Sequence, residues 1–246
     1  MTSVRILHLY PRELGINGDA GNVTTLVERA RWRGIVTEVQ LHEIGGELPE
    51  SVDVVHIGSG PLSSQRAVLA DVQRIAPTLR TWRDAGVPIL AIAGGWQLLG
   101  SELITAEGER LPGAGVFPTH ATLGADRHVS ESIVRTADGV LAGFENHSAT
   151  TVLDGGAPLG AVVSGFGNDP AAVQRAEGVI VAESIGTHLH GAVLPINPEL
   201  ADRILAAALA HRGVTDALAS VPETRPVDGY ALNARRAIAA RLGVSL

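Results

Sequence analysis

An α/β fold, with a doubly wound and mostly parallel sheet flanked by helices, is what three features of the sequence predict. Short apolar runs alternate with longer amphipathic stretches over residues 4–99. Turn residues close those runs, most clearly Gly58-Ser59-Gly60-Pro61 and Gly94-Gly95. The residues able to do chemistry collect at the carboxyl ends of the runs, where doubly wound sheets bind ligands.

Residues 4–9 read as the first parallel strand. The loop Asn17-Gly18-Asp19-Ala20-Gly21-Asn22 has turn chemistry ahead of an amphipathic helix over residues 23–33. Residues 37–42 and 52–57 are the next strands, and the second ends at the tight Gly58 to Pro61 loop, which leads to a helix over residues 65–82. After Gly86 the run Val87-Pro88-Ile89-Leu90-Ala91-Ile92 reads as a buried strand, which stops at Ala93-Gly94-Gly95 and restarts as a helix through Trp96, Gln97 and Leu98. Taken alone, Gly94-Gly95 reads as a strand-to-helix turn needing positive φ.

From residue 127 to 165, short β-rich segments separated by Gly, Asp and Pro predict antiparallel strands appended to the sheet. A helix over residues 198–211 packs back against it. Ser220-Val221-Pro222-Glu223-Thr224-Arg225-Pro226 reads as a linker before a last helix over residues 229–242. The expected organisation is one large domain over residues 1–215 and a C-terminal linker and helix over 216–246, suited to docking a partner or to lying as a solvated surface helix. No internal repeat or low-complexity tract interrupts it.

Composition narrows the function. In 246 residues, 45% are hydrophobic and 18% charged, which suits a well-buried globular core. The net charge of −7 and the scattered arginines argue against a nucleic-acid partner. No apolar stretch approaches the roughly 20 residues that span a bilayer, and no signal-peptide pattern precedes the first strand, so a cytoplasmic protein without membrane insertion is expected. All 19 cationic side chains are arginine, which excludes Schiff-base catalysis by lysine. The absence of cysteine removes disulfides, thiolate zinc sites and thiol nucleophiles together.

The strand–turn–helix at Ala93 is the geometry that displays a reactive side chain above a sheet. Here a methyl group stands at the apex. Gly186-Thr187-His188-Leu189-His190-Gly191 carries the histidine that such an elbow needs as a base, on a Gly-flanked turn expected to face a cleft. Together with Leu9-Tyr10-Pro11, the Gly18 to Asn22 loop, Gly143-Phe144-Glu145-Asn146-His147-Ser148 and Gly165-Phe166-Gly167-Asn168, residues 5–205 resemble the class I glutamine amidotransferases. The resemblance is to the branch related to cobyric acid synthase, which includes the glutaminase subunit of lipid II isoglutaminyl synthase.

That resemblance implies a flavodoxin-like fold and a division of roles. Ala93 stands at the nucleophile position, where the family has cysteine, and His190 is the base. Backbone N–H groups of Gly60 and Gly94 are the oxyanion donors. Gln97 contacts the substrate amide, and Asn146, His147 and Ser148 hold its α-amino and α-carboxylate groups, unless they form only a polar hairpin turn. Arg127 matches an arginine near the glutamine pocket, its other reading being a surface arginine. L-glutamine is the implied ligand, and the implied partner is an ATP-dependent, Mur-ligase-like subunit that receives ammonia. No cofactor or metal is implied. The histidine and carboxylate spacing of Glu145 and His147, or of His188 and His190, is a weak metal signal, and Gly58-Ser59-Gly60 lacks the ending of a phosphate loop.

Three departures stand out: Ala93 for cysteine, Ser59 where glycine is usual, and His188 with Ala192 in place of Tyr and Pro. As in many active members of the family, no acidic residue stands two positions past the histidine, so a Cys–His dyad is the expected ancestral arrangement. Whether Ala93 is inherited or introduced, the chain as written is expected not to make ammonia from glutamine. The alternatives are a catalytically silent scaffold or glutamine sensor for the partner, and a hydrolase using Ser148 or another serine with His190.

Overall fold

The computed structural model describes residues 3–214, 218 and 221–246. β1 (Ser3–Leu9) leads through a one-turn 3-10 helix (Ile16–Gly18) into α1 (Ala20–Trp32). Then come β2 (Val36–His42), β3 (Val54–Ile57), α2 (Leu62–Asp84), β4 (Ile89–Ile92) and α3 (Gly94–Leu99). The β-rich part holds β5 (Glu102–Ile104), β6 (Arg110–Pro112), β7 (Thr119–Thr136), β8 (Gly139–Leu153), β9 (Gly160–Ser164) and β10 (Ala176–Glu177). β11 (Val179–Val181), β12 (Ser184–Thr187), β13 (Leu189–His190), α4 (Val193–Ile196), α5 (Pro198–His211) and α6 (Thr224–Arg241) complete the chain.

β11-β12-β4-β3-β1-β2 form one sheet, parallel throughout except for β11 at its edge. Strand alternation sorts its side chains to two cores. Leu7, Leu9, Ile89 and Ala91 pack with Val68, Ile75 and Leu79 of α2, whereas Val4, Ile6, Leu90 and Ile92 pack with Leu26 of α1 and Ile204 and Leu205 of α5. Helices therefore cover both faces, as a doubly wound sheet requires.

The second sheet is built on the long antiparallel hairpin β7–β8, with β9 and β5 also on β7 and β13 on β8. The hairpin's register breaks between Leu123 and His128, so residues 124–127 oppose Ser148 alone. That bulge carries Arg127 out of the ladder. β12 belongs to the first sheet and β13 to the second, so the Thr187 to His190 segment is where the sheets meet.

Three helices differ from the expected bounds, each for a local reason. α1 starts at Ala20 rather than residue 23 because Asp19 O already accepts the Asn22 N–H at 3.0 Å. α2 starts at Leu62 rather than residue 65, with extended Pro61 (φ −62°, ψ 163°) as its cap and the Gln65 N–H donating to Pro61 O. α6 begins at Thr224 and takes in Pro226, which fits a first turn because that position has no intrahelical acceptor for an N–H. The expected linker thus shrinks, and its Ser220, like residues 215–217 at the expected domain boundary, lies outside the described residues. α6 itself packs on the hairpin: Ile238 and Ala239 join Ile133 and Ala142, and Arg235 forks onto Glu199 at 2.8 Å through each nitrogen.

Candidate active site

β4, buried at all four residues, ends at Ala93, whose backbone takes φ 39° and ψ −102°. That region costs a residue with a Cβ roughly 1–3 kcal/mol and persists only where the surroundings over-determine it. Here the Ala93 N–H donates to Thr187 O at 2.8 Å and Ala93 O accepts the Gln97 N–H at 2.8 Å. Contrary to the sequence expectation, the positive φ falls on Ala93 and not on Gly94 or Gly95. The glycines serve close approach instead. A Cβ on Gly95 would collide with Gly58 O, and one on Gly94 would meet Gln65 Nε2 at 2.8 Å.

A cavity of about 170 Å³ opens over this elbow. Its walls hold the expected Gly60, Ala93, Gly94, Gln97, Arg127, Asn146, His147 and Ser148, joined by Asn17, Ser59 and Gln65. Arg127 is exposed, yet it is part of the wall: its Nε donates to Asn146 Oδ1 at 2.7 Å. The β7 bulge and the opposing Ser148 account for that placement.

His190 is less open than its Gly-flanked turn suggests. It is only 2% exposed, because β13 is zipped onto β8 opposite Phe144, and it opens onto an adjoining cavity whose wall also includes Asn17 and Asn146. Its Nδ1 lies 3.7 Å from Asp19 Oδ1 and 3.5 Å from Asn17 Nδ2, while Nε2 has no partner among the described residues. Asp19, fully buried, also accepts the Ser59 N–H through Oδ2 at 2.9 Å. A carboxylate beside the imidazole is therefore present, supplied from the loop before α1. Ser148 lines the elbow cavity and His190 the adjoining one, which gives no support to a Ser148–His190 hydrolase.

The Gly94 N–H donates to Ser59 Oγ at 3.2 Å. The serine at a position where glycine is usual thus puts an acceptor on one of the two expected oxyanion donors.

Behind the cavity, the rings of His147 and His188 stack at 3.9 Å with 9° between their planes, and His188 rests on Trp96 at 4.8 Å. Burial pushes His147 down to about 4 and His188 well below the usual imidazole value, so both are neutral at pH 7. His188 is core rather than cleft. Under the same turn, Glu177 Oε1 accepts the Thr187 hydroxyl at 2.6 Å and the His188 N–H at 2.7 Å. Glu145 holds the Gly165 to Asn168 turn by accepting the Phe166 and Gly167 N–H groups. Among the described residues no group of three or more His, Asp or Glu is arranged to hold a metal ion.

Asn17 and Gln65 in the cavity wall, and Asp19 buried behind it, are the residues that sequence reasoning left without a role. Asp19 and Asn17 stood in a motif with no partner named, and Gln65 was read only as the start of a helix. The one available signal was their position at carboxyl ends of strands.

Comparison with known proteins points the same way. Residues 5–198 match the family model of the CobB/CobQ-like glutamine amidotransferase domain. A lipid II isoglutaminyl synthase (glutamine-hydrolyzing) subunit GatD of Staphylococcus aureus is 32% identical over 87% of this chain and 88% of its own. The corresponding GatD of Streptococcus pneumoniae is 32% identical over 85% and 82%. Among solved structures, the glutaminase domain of Trypanosoma brucei CTPS with bound acivicin superposes with a TM-score of 0.52 at 14% identity, covering 84% of this chain and 94% of that one. PurLQS from Thermotoga maritima gives 0.51 at 14%, covering 86% and 100%. At that identity the two structures speak for the fold alone. Among the described residues no helix is long and apolar enough to cross a membrane.

Proposed function

The chain belongs to the CobB/CobQ-like glutamine amidotransferase family, and on that footing we propose that it binds L-glutamine in the elbow cavity as the glutaminase-type subunit of a lipid II isoglutaminyl synthase. In this reading it works in the cytoplasm beside an ATP-dependent, Mur-ligase-like subunit, which uses ammonia to amidate the D-glutamate of a peptidoglycan stem peptide. The observation that carries the proposal is the strained Ala93 elbow under a cavity that gathers Gly60, Gln97, Arg127, Asn146, His147 and Ser148.

With a methyl group at position 93 the covalent route is closed, and the chain as written releases no ammonia. Ala93→Cys places a thiol at the apex. We expect that variant to hydrolyse L-glutamine in the presence of the partner, and the chain with Ala93 to stay silent under the same ammonia assay.

A second reading, a non-catalytic scaffold or glutamine sensor for the partner, is favoured by one observation: Ser59 Oγ already engages the Gly94 N–H. Silence of Ala93→Cys despite bound glutamine would decide for it.

A further inference from the structure

β2 is an open edge of the parallel sheet: among the described strands it pairs with β1 alone. The direction of its backbone groups follows from one contact. Leu9 is in register with His42, and the Tyr10 N–H donates to His42 O at 2.8 Å, so the backbone of His42 bonds inward to β1. Parallel pairing repeats this at every second residue, which turns Val36, Glu38 and Gln40 inward as well. Thr37, Val39 and Leu41 are left with their N–H and C=O groups facing out from the sheet.

The side chains along this edge are apolar where edges are commonly blunted. Val39 is 40% exposed and Leu41 56%, and Val36 and Ile44 are exposed beside them. The strand Val36-Thr37-Glu38-Val39-Gln40-Leu41-His42 holds one carboxylate, no arginine and no proline, and no bulge breaks its register with β1. An edge of that kind is a template for pairing with another strand.

This strand is complementary to itself. Laid antiparallel about Val39, a second copy sets Val39 opposite Val39 and Thr37 opposite Leu41. All three outward residues then meet outward residues, and each pair exchanges two hydrogen bonds. Glu38 falls opposite Gln40. An axis at Glu38 instead sets the two carboxylates opposite each other, which is repulsive, and leaves part of the strand unpaired. Each copy uses β2 once, so two chains complete the contact and no filament follows.

We infer that β2 is a homodimer surface, joining two copies of this chain edge to edge across a twofold axis at Val39. The elbow, at the end of β4, is separated from β2 by β3 and β1, so the pairing draws on none of its residues. The inference therefore stands apart from the glutamine-binding reading.

A contact between two seven-residue strands is smaller than a standard interface, so association at micromolar concentration is expected. Sedimentation equilibrium of the full chain in that range shows a monomer–dimer equilibrium, and Val39→Glu shifts it to monomer by setting two carboxylates against each other at the axis. A chain that stays monomeric throughout overturns the inference without any variant. The register has a separate test, because the chain contains no cysteine and a single introduced thiol can pair only with its own copy. Val39→Cys, a near-isosteric change at an exposed site, brings two Cα atoms to about 5.5 Å, within disulfide reach. Under oxidised glutathione it forms the cross-linked dimer roughly tenfold faster than Val152→Cys, a site 45% exposed on β8. Equal rates at the two positions, or a dimer that Val39→Glu leaves intact, put the contact elsewhere and overturn the inference.

Discussion

Two buried polar side chains less than two turns apart on α2, Asp71 and Gln65, meet opposite local conditions. Asp71 is saturated: Oδ2 accepts from the Tyr10 hydroxyl and from His42 Nε2, each at 2.8 Å, and Oδ1 accepts from the Gly45 N–H at 3.0 Å and Arg74 Nε at 2.8 Å. Gln65 spends its amide nitrogen on two acceptors and leaves its own oxygen buried without a partner among the described residues. A buried polar group with all its partners holds architecture together, whereas one short of a partner carries a desolvation cost that the rest of the fold must offset. Glu177 stands between them, with Oε1 accepting twice and Oε2 accepting nothing among the described residues.

The sharpest way to break the comparison is Asp71→Ala. Removing that carboxylate orphans several buried donors, and a loss of about 3–5 kcal/mol is expected in urea unfolding. Burial works to raise this carboxyl, but the bonds from His42, Tyr10, Arg74 and Gly45 outweigh it and hold it at about 2. Its contribution is therefore complete above the ordinary aspartate range and fades as pH falls toward 2. A loss under 1 kcal/mol would remove the contrast between the two sites.

Next in size is Glu177→Gln. Burial, then the Glu145 carboxylate, raises Glu177 from 4.5 to about 8. Between those values the folded chain keeps a proton that the unfolded chain has given up, so stability falls as pH rises across the window. The glutamine variant should lack that slope and unfold later than the original chain at pH 8, by an amount on the order of 2–3 kcal/mol. Parallel stability curves for the two proteins between pH 5 and 8 would mean that Glu177 is ionised in the fold. The smallest effect on stability belongs to Gln65→Met, about 1 kcal/mol, since Gly60 O and Gln97 Oε1 each lose a donor beside an open cavity.

How much of this was legible in the chain follows from what periodicity can carry. β4 was readable because a strand covered on both faces is a continuous apolar run, and Ile89, Leu90, Ala91 and Ile92 are all buried. The elbow was readable because strand and helix abut at Ala93 with no loop between. The strain at Ala93 itself was not readable, since a residue with a Cβ is a less expected place for positive φ than its glycine neighbours. Asp19 and Gln65 escaped because their partners, His190, Ser59 and Gln97, are remote in sequence, and one chain records no pairing between distant positions. His190 was expected at a cleft because glycines flank its turn; pairing with β8 buries most of the ring, yet it still lines the adjoining cavity. The start of α6 was hidden by Pro222 and Pro226, which read as breakers although a first helical turn accommodates proline.

The central claim, that the cavity over the Ala93 elbow binds a glutamine, is tested most directly by titrating L-glutamine into the purified chain in a calorimeter. The account predicts saturable binding at one site per chain, lost in Gln97→Leu, with no ammonia released. Absence of binding, both alone and with the proposed partner subunit present, would contradict it and leave the elbow as retained architecture without a ligand.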